Sequence, residues 1–259
     1  MVQTAGIALS RHEMGKIGVT SGQGRPSGEK IRNKMLAALP PAALADILPH
    51  MEPVELIRDQ GLYKTQGRIR RVHFLQSGLA VFTKMMRDGR STMIGSIGVE
   101  GMTQPNGLLG AVRTDIECTV QIPGLSLAID ADMLHGLSAR IPALSAVLER
   151  YGMFMNEQSA QISGCNRLHT LEQRCARLLL TIHDNVLEEG FPLTQETLAI
   201  MLGAQRPHVS AVAANFQKLS MIQYKHGQMR ITNYSKLRQT SCECYEVLKA
   251  QADKAYVLQ

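Results

Sequence analysis

This sequence lacks three features, and each absence narrows the class of protein. No run approaches the roughly 18 to 20 consecutive apolar residues of a membrane helix, so no membrane partner is expected. The N-terminus has no basic stretch leading into an apolar one and a small-residue cleavage site, which predicts a cytoplasmic protein. Cysteine is scarce and odd in number, with 5 residues, which favours free thiols over a disulfide framework.

The rest of the composition is that of a globular protein. The 259 residues are 44% hydrophobic, enough for one or two domains with a sizeable core. The formal net charge of +6 comes from 28 basic and 22 acidic residues. Such a mild basic excess is compatible with a nucleic-acid partner and equally with an ordinary solvated surface.

Turn-forming residues divide much of the N-terminal half into short segments. Residues 1–29 are rich in glycine and poor in large apolar groups, which predicts a flexible tail. Residues 30–48 carry apolar residues at helical spacing, so two short helices are expected. From 54 to 129, short segments alternate with turns such as Asp88-Gly89, a strong hairpin signal. Residues 30–139 are therefore expected to form an antiparallel sandwich, barrel or jelly roll.

Residues 142–162 predict a long helix with a heptad-like apolar stripe. The stripe consists of Leu144, Leu148, Tyr151, Met155, Gln158 and Ile162. Alternating spacings of four and three are typical of a two-helix seam, which predicts a homodimer through this helix. The alternative is that the stripe packs the helix on its own β-domain. Ser163–Arg167 is interpreted as a hinge, so that 140–166 comprise the dimerisation helix and hinge.

The segment from Phe191 to Thr232 carries the strongest functional signal. Thr194 can cap a helix, Gly203 supplies a turn, and Pro207 suits the first turn of a second helix. The inner face of that second helix is predicted to hold Val209, Val212, Phe216 and Leu219. A small hairpin with Gly227 near its tip follows. The pattern predicts a winged helix-turn-helix within residues 167–250.

In such a motif the second helix enters the DNA major groove with its N-terminal side chains towards the base edges. The candidates there are Gln205, Arg206, His208, Ser210 and Ala211. An arginine at this place can bind guanine through two hydrogen bonds. Lys225 and Arg230 in the hairpin are candidates for phosphate contacts. The alternative is a small-molecule sensor that acts through protein contacts, with the winged helix as a docking surface.

Residues 193–209 read L-T-Q-E-x-L-A-x-M-L-G-x-x-R-P-x-V. This pattern resembles the DNA-reading motif of the Crp/Fnr family of bacterial transcription regulators. The resemblance implies an α+β fold class with an N-terminal antiparallel β-roll, a jelly roll of the cyclic-nucleotide-binding type. A long dimerisation helix and a C-terminal winged helix-turn-helix would follow. The implied partners are double-stranded DNA, a second copy of the chain and RNA polymerase.

The same resemblance assigns roles residue by residue. Arg206 falls on the base-reading arginine of the family, Gln205 on a position that contacts the DNA backbone, and Thr194 on one that holds a phosphate. Pro207 replaces an acidic base-reading residue of the cyclic-AMP receptor protein, and Ala211 replaces its second base-reading arginine. The operator sequence is therefore expected to differ from that of the cyclic-AMP receptor protein.

The sensor half carries a weaker signal. Nucleotide binders of the family hold the ribose with a Gly-Glu-Leu segment and the cyclic phosphate with a later Arg-Ser pair. The matching candidates are Glu100 and Arg113, with Thr114 in place of serine, but the connecting loop is longer. A cyclic nucleotide is therefore a doubtful cofactor. The favoured interpretation is that Glu100 and Arg113 are ordinary surface or ion-pair residues, with the effector left open.

No metal site is predicted. An iron–sulfur cluster of the family's N-terminal type is not expected, because no cysteine precedes Cys118. Cys242 and Cys244, one residue apart, make an incomplete site. Cys165 and His169 lie four apart on a predicted helix, and nothing else in the sequence is seen to converge on them.

Enzymatic function is not expected either. The sequence offers no nucleophile with a base, no phosphate-cradling loop and no metal set. His73 beside Phe74 in a predicted strand is interpreted as structural, with haem ligation as the alternative.

Overall fold

The N-terminal half is a β-roll preceded by two short helices. The computed structural model describes residues 31–89, 91–104, 113–186 and 188–256, so the predicted tail lies outside the described residues. The elements are α1 (Lys34–Ala37), α2 (Pro41–Ile47), a 3-10 turn (Leu48–His50), β1 (Glu52–Leu56), β2 (Gly61–Tyr63), β3 (Arg71–Leu75), β4 (Leu79–Met85), β5 (Ser91–Ile97), β6 (Glu117–Ile122) and β7 (Gly124–Asp130).

Two antiparallel sheets make up the roll. One has the strand order β1-β7-β3 and the other β2-β6-β4-β5. Strands β4 and β5 form the predicted hairpin, in which Met85 lies opposite Ser91. Phe74 from the first sheet and Phe82 from the second belong to one buried cluster, so the sheets share a core. The predicted antiparallel β-roll is confirmed.

A long helix, α4 (Pro142–Leu168), follows the roll and the short helix α3 (Ala131–Ser138). Its 27 residues correspond to about 40 Å of helix. Within the described part of the chain, no helix combines the length and apolar character needed to cross a membrane, α4 included.

The heptad-like stripe of α4 is buried within a single chain. All six of its residues have at most 8% of their surface exposed, and the Tyr151 hydroxyl donates a hydrogen bond to the carbonyl of Met102 in the roll. The stripe thus packs on the chain's own β-domain, as the alternative interpretation expects. The prediction that these side chains form a free two-helix seam is wrong, because intramolecular and intermolecular packing produce the same spacing.

The hinge predicted at Ser163–Arg167 is also wrong, because α4 continues through Leu168. The break falls at His169 and Thr170, where Thr170 caps the next helix, α5 (Leu171–Asn185). Cys165 is buried in this last part of α4. Tertiary packing therefore keeps the segment helical despite its serine and glycine.

The C-terminal half is a winged helix-turn-helix extended by two helices. Its elements are β8 (Gly190–Pro192), α6 (Gln195–Leu202), α7 (Arg206–Lys218), β9 (Ile222–Lys225), β10 (Gln228–Ile231), α8 (Tyr234–Thr240) and α9 (Cys244–Lys254). The sequence analysis did not predict α8 and α9. Helix α9 packs against α4 and α5. Just beyond it, the Tyr256 hydroxyl donates a hydrogen bond to the carbonyl of Glu100 at 2.7 Å, so the chain returns to the roll.

The winged helix and the β-roll share a hydrophobic core. Leu198 of α6 and Phe216 of α7 belong to the same buried cluster as Val81 of β4 and Met93 of β5. Residues Ile31–Gln259 accordingly form one compact unit. Movement of the winged helix away from the roll would expose part of this core.

His73 is buried in β3 between polar partners. Its Nδ1 lies 3.0 Å from the Ser126 hydroxyl, and its backbone N–H donates to the Thr103 hydroxyl at 3.1 Å. Burial, assisted by the charge of Arg71, lowers the pKa of His73 from 6.5 to about 4. The ring is therefore neutral near pH 7, which agrees with a structural role.

We predict that stability falls as the pH drops from 6.5 to about 4, since the unfolded chain protonates His73 more readily than the folded one. The pKa difference corresponds to at most about 3 kcal/mol. His73→Gln should flatten this part of the curve of unfolding free energy against pH, measured by urea denaturation. His50→Gln, at an exposed histidine, is the matched control. Equal slopes in the wild type and His73→Gln would contradict the prediction.

Candidate nucleic-acid interface

Thr194 and Gly203 fix the two ends of α6. The Thr194 hydroxyl oxygen accepts a hydrogen bond from the Thr197 backbone N–H at 3.0 Å, which satisfies a free donor of the first turn. Gly203 ends the helix with a left-handed φ of 59°, and its N–H donates to the Ile200 carbonyl. Both predicted roles are confirmed. The chain can therefore turn sharply between the two helices of the motif.

Helix α7 begins at Arg206, with Pro207 in its first turn as predicted. Its inner face consists of Val209, Ala213 and Phe216, which are all buried. The predicted inner face is partly wrong, because Leu219 is 38% exposed at the C-cap and Ala213 takes the inward position. Because these three buried residues are spaced four and three apart, they lie on one side of α7. The opposite side therefore does not pack in the core.

The N-terminal end of α7 presents polar side chains to solvent. Gln205, Arg206, His208 and Ala211 are exposed. The first turn contains no acidic residue, so the positive end of the helix dipole is open to an anion. The Arg206 Nε lies 3.9 Å from a carboxylate oxygen of Glu196 on α6. Because both side chains are exposed, this pair is weak and leaves the guanidinium accessible.

Ser210 differs from the other candidates. It is half-buried, and its hydroxyl donates a 2.6 Å hydrogen bond to Oε1 of Gln195 at the start of α6. The hydroxyl thus ties α7 to α6. The sequence analysis missed this contact between the two helices.

The wing is a three-stranded antiparallel sheet in the order β8-β10-β9. Its tip, His226-Gly227, has positive φ at both residues, as a two-residue hairpin requires. Lys225 and Arg230 are exposed, and Arg230 forms an ion pair with Glu189. The Leu193 N–H donates to the Gly227 carbonyl at 2.8 Å, so the wing tip is attached next to the N-terminus of α6.

The three effector candidates have different surroundings. The Glu100 carboxylate is buried and accepts a hydrogen bond from the Gly98 N–H. Burial raises its pKa. Arg113 is exposed beside Gln66, and the Thr114 hydroxyl oxygen accepts a bond from the Ile116 N–H. Residues 105–112 of the connecting loop lie outside the described residues. The effector role of the three stays a prediction.

Four side chains outside this interface converge where the sequence analysis saw only isolated pairs. Cys165 and His169, at the end of α4, lie next to Cys242 and Cys244, at the start of α9. The expectation that nothing converges on Cys165 and His169 is wrong, because more than 70 residues separate the two segments in the chain. The hydrogen bond with Cys242 and the charge of Arg177 lower the pKa of Cys165.

Comparison with protein families matches residues 173–240 to the Crp-like helix-turn-helix domain. The match contains most of α5, both helices of the motif and the wing. A search of curated sequences returned no match. The resemblance noted at residues 193–209 is thereby confirmed for the DNA-binding domain.

Solved structures share the fold over roughly three quarters or more of the chain. FixK2 from Bradyrhizobium japonicum is 13% identical, with a TM-score of 0.62, and the match covers 74% of this chain and 98% of FixK2. A putative Crp/Fnr-family transcriptional regulator from Eubacterium rectale is 13% identical, with a TM-score of 0.59 and coverages of 82% and 99%. CLP, the c-di-GMP-responsive global regulator of Xanthomonas campestris, is 12% identical, with a TM-score of 0.57 and coverages of 73% and 98%.

We predict that Gly203→Ala destabilises the protein by about 1–2 kcal/mol, because alanine is strained at this left-handed φ. The added Cβ would also lie 3.3 Å from the Thr92 hydroxyl. Gly136→Ala, in the exposed interior of α3 with nothing within 4 Å, is the control and should stabilise by about 0.5–1 kcal/mol. Urea denaturation measures both, and a shift of the same sign in the two variants would contradict the prediction.

Proposed function

We propose that this chain, a protein with a Crp-like helix-turn-helix domain and the fold of the Crp/Fnr regulators, is a sequence-specific DNA-binding transcription regulator. It acts in the cytoplasm as a homodimer on a pseudo-palindromic operator and affects transcription through RNA polymerase. The observation that carries the proposal is the N-terminus of α7, which is exposed, has no acidic residue in its first turn and is hydrogen-bonded to α6 through Ser210. We assign the sensor function to residues 30–139, dimerisation to residues 140–166 and DNA binding to residues 167–250.

Arg206 is the proposed base-reading residue. Its guanidinium stands at the exposed start of α7, where two parallel N–H donors can reach guanine O6 and N7 in the major groove. Gln205 and His208 flank it and are also exposed. Pro207 and Ala211 offer no polar side chain, so Arg206 supplies most of the hydrogen-bonded base discrimination in each half-site.

The phosphate contacts are assigned to the wing and to Thr194. Lys225 is exposed on β9, beside the tip that is bonded to the start of α6. The Thr194 hydroxyl accepts its capping bond and also shares a 2.9 Å hydrogen bond with the Thr197 hydroxyl. When Thr197 is the donor of that second bond, the Thr194 proton is left for a phosphate oxygen. These contacts would position α7 in the groove without reading sequence.

A second copy of the chain is assigned to the free face of α4. The buried stripe is occupied by the roll, but Met153 and Leu168 on α4 are 65% and 79% exposed. Gly152 and Ala160 lie on the solvent side as well and would allow close helix approach. Pairing through this face would cover the exposed apolar side chains. A symmetric dimer would then set its two α7 helices one DNA turn, about 34 Å, apart.

The proposed effector site is a cavity of about 290 Å³ between the roll, α4, α5 and α9. Glu100, Gln158 and Arg177 line it, with Asp184 and Lys249. A ligand there would touch both the sensor and the first helix of the DNA-binding domain. It would favour the conformation that it binds more tightly, and so change the contact between the sensor and the DNA-binding domain. A cyclic nucleotide stays doubtful, because its phosphate-binding candidates Arg113 and Thr114 lie outside this lining.

The test is a selection of bound sequences from random duplex DNA, with and without cyclic AMP. A two-fold symmetric motif with half-sites about one helical turn apart is expected. A motif that appears only with cyclic AMP would restore the nucleotide as effector. Uniform weak binding without a motif in either arm would contradict the proposal. It would favour the alternative, a sensor whose winged helix docks another protein.

Arg206→Ala should weaken binding to the selected site by about 1–3 kcal/mol and relax the preference at one base pair per half-site. The reason is the loss of the two hydrogen bonds to one base. Arg140→Ala, at an exposed arginine after α3, is the matched control. Fluorescence anisotropy against the site and its single-base variants measures both effects. Full affinity with an unchanged preference in Arg206→Ala would show that another residue reads the base.

Lys225→Ala should weaken binding to all sequences by a similar factor, since a phosphate contact carries no base information. The slope of log affinity against log salt concentration should fall by about 1 per subunit, because one fewer counterion is released. Titrations over a range of KCl concentrations measure the slope. A slope equal to that of the wild type would place Lys225 outside the interface.

A further inference from the structure

A cluster of three cysteines and one histidine joins the end of α4 to the start of α9. Cys165 lies in the last turn of α4 and His169 is the C-cap, whose backbone N–H donates to the Cys165 carbonyl. Cys242 and Cys244 approach them from the other segment. The sulfur and imidazole nitrogen atoms of the four side chains all lie within 4.8 Å of one another.

Two donor–donor distances within the cluster match those around a tetrahedral zinc ion. Zinc–sulfur bonds of about 2.3 Å and zinc–nitrogen bonds of about 2.0–2.1 Å require sulfur–sulfur separations of about 3.8 Å and sulfur–nitrogen separations of about 3.6 Å. The Sγ atoms of Cys165 and Cys242 are 3.6 Å apart. The Cys244 Sγ is 3.6 Å from the His169 Nδ1. The four donors are thus close enough to share one ion.

The burial of the thiols argues against an ordinary packing role. Cys165, Cys242 and Cys244 are at most 3% exposed and form a buried cluster by themselves. Cysteines that serve only as small apolar side chains pack within the main core, as Cys118 does in the roll and Cys175 in the winged helix. Sulfur packed chiefly against sulfur and imidazole is the environment of a soft metal site.

Polar neighbours orient the donors. The Gln161 amide donates a hydrogen bond to the Cys244 sulfur at 3.0 Å. A carboxylate oxygen of Glu243 lies 3.2 Å from the His169 Nε2, on the far side of the ring from the cysteines. This contact fixes the proton on Nε2 and leaves Nδ1 free to bind a cation, as carboxylates do behind histidine ligands. The buried Arg177 would offset the net negative charge of three thiolates around a divalent ion.

We propose that Cys165, His169, Cys242 and Cys244 bind one structural zinc ion in a closed Cys3His site. The donor set of sulfur and imidazole selects zinc over magnesium and calcium, which prefer oxygen. The four protein ligands fill the tetrahedron, so the site has no open position for catalysis. The ion clamps α9 to the end of α4, and this role stands whether or not the chain binds DNA.

The test uses the full chain, stripped of metal with a chelator, kept reduced and titrated with Co²⁺. We expect one equivalent per chain, with the intense visible bands of tetrahedral cobalt and sulfur-to-cobalt charge transfer. One equivalent of Zn²⁺ should displace the cobalt. The absence of saturable binding, or spectra of six-coordinate cobalt, would overturn the proposal. If the protein takes up no metal, and dissolved oxygen oxidises Cys165 and Cys242 to a disulfide once the reductant is removed, the pair is a redox couple and the zinc proposal is overturned.

Substitutions distinguish the proposed metal ligands from other residues. Cys242→Ser leaves two thiolates, so it should weaken the charge-transfer band. His169→Gln removes a ligand and should weaken metal binding by more than the roughly 10- to 100-fold typical of groups behind a ligand. Glu243→Ala removes only the group behind the imidazole and should weaken binding by about tenfold. Cys175→Ala, at a buried cysteine outside the cluster, is the matched control and should keep one equivalent of metal. Equal metal uptake by Cys175→Ala and Cys242→Ser would refute the assignment.

A second readout covers variants that fold poorly. In the wild-type protein, zinc should raise the melting temperature and a chelator should lower it, because the ion binds the folded state alone. Hydrogen exchange of residues 242–254 should quicken in the metal-free protein. If neither the melting temperature nor the exchange rates changed with zinc or the chelator, the proposal would be overturned. This outcome holds even if the cysteine variants were insoluble.

Discussion

The burial of one side of α4 is the constraint on which the rest of the structure depends. Nine side chains of this helix are buried, and each large aliphatic or Phe side chain among them contributes about 1.5–3 kcal/mol. This packing fixes the rotation of the helix about its own axis. It therefore decides which residues remain for a second copy of the chain, and it points Gln161, Cys165 and His169 towards α9.

The sequence predicted the DNA-reading motif well because its signals are local. Thr194, Gly203 and Pro207 act within a few residues of their own position, and the structure places each as expected. The Asp88-Gly89 hairpin follows the same logic. The β-roll and the overall element order were also predictable, since turn signals separate their short strands.

Features that depend on distant contacts could not be predicted in this way. The spacing of the α4 stripe cannot distinguish packing on the roll from packing on another helix. Ser163 and Gly164 suggested a hinge that burial of Cys165 overrides. The cysteine–histidine cluster unites segments that only the folded chain brings together. Tyr245, Leu248 and Ala252, spaced three and four apart, were the available signal for α9.

The contacts of Asp253 and Tyr256 with the N-terminal half of the protein have a consequence for biosynthesis. The Tyr256 hydroxyl meets the Glu100 carbonyl across 156 residues of sequence, and Lys34 Nζ lies 2.5 Å from Asp253. During synthesis, the roll emerges from the ribosome well before Asp253 and Tyr256 have been added to the chain. The roll can begin to fold at that stage. The nascent roll must therefore wait with its Glu100 loop uncovered. Helix α9 supplies one wall of the cavity beside this loop, so a chain that stalls before α9 leaves that cavity open on one side.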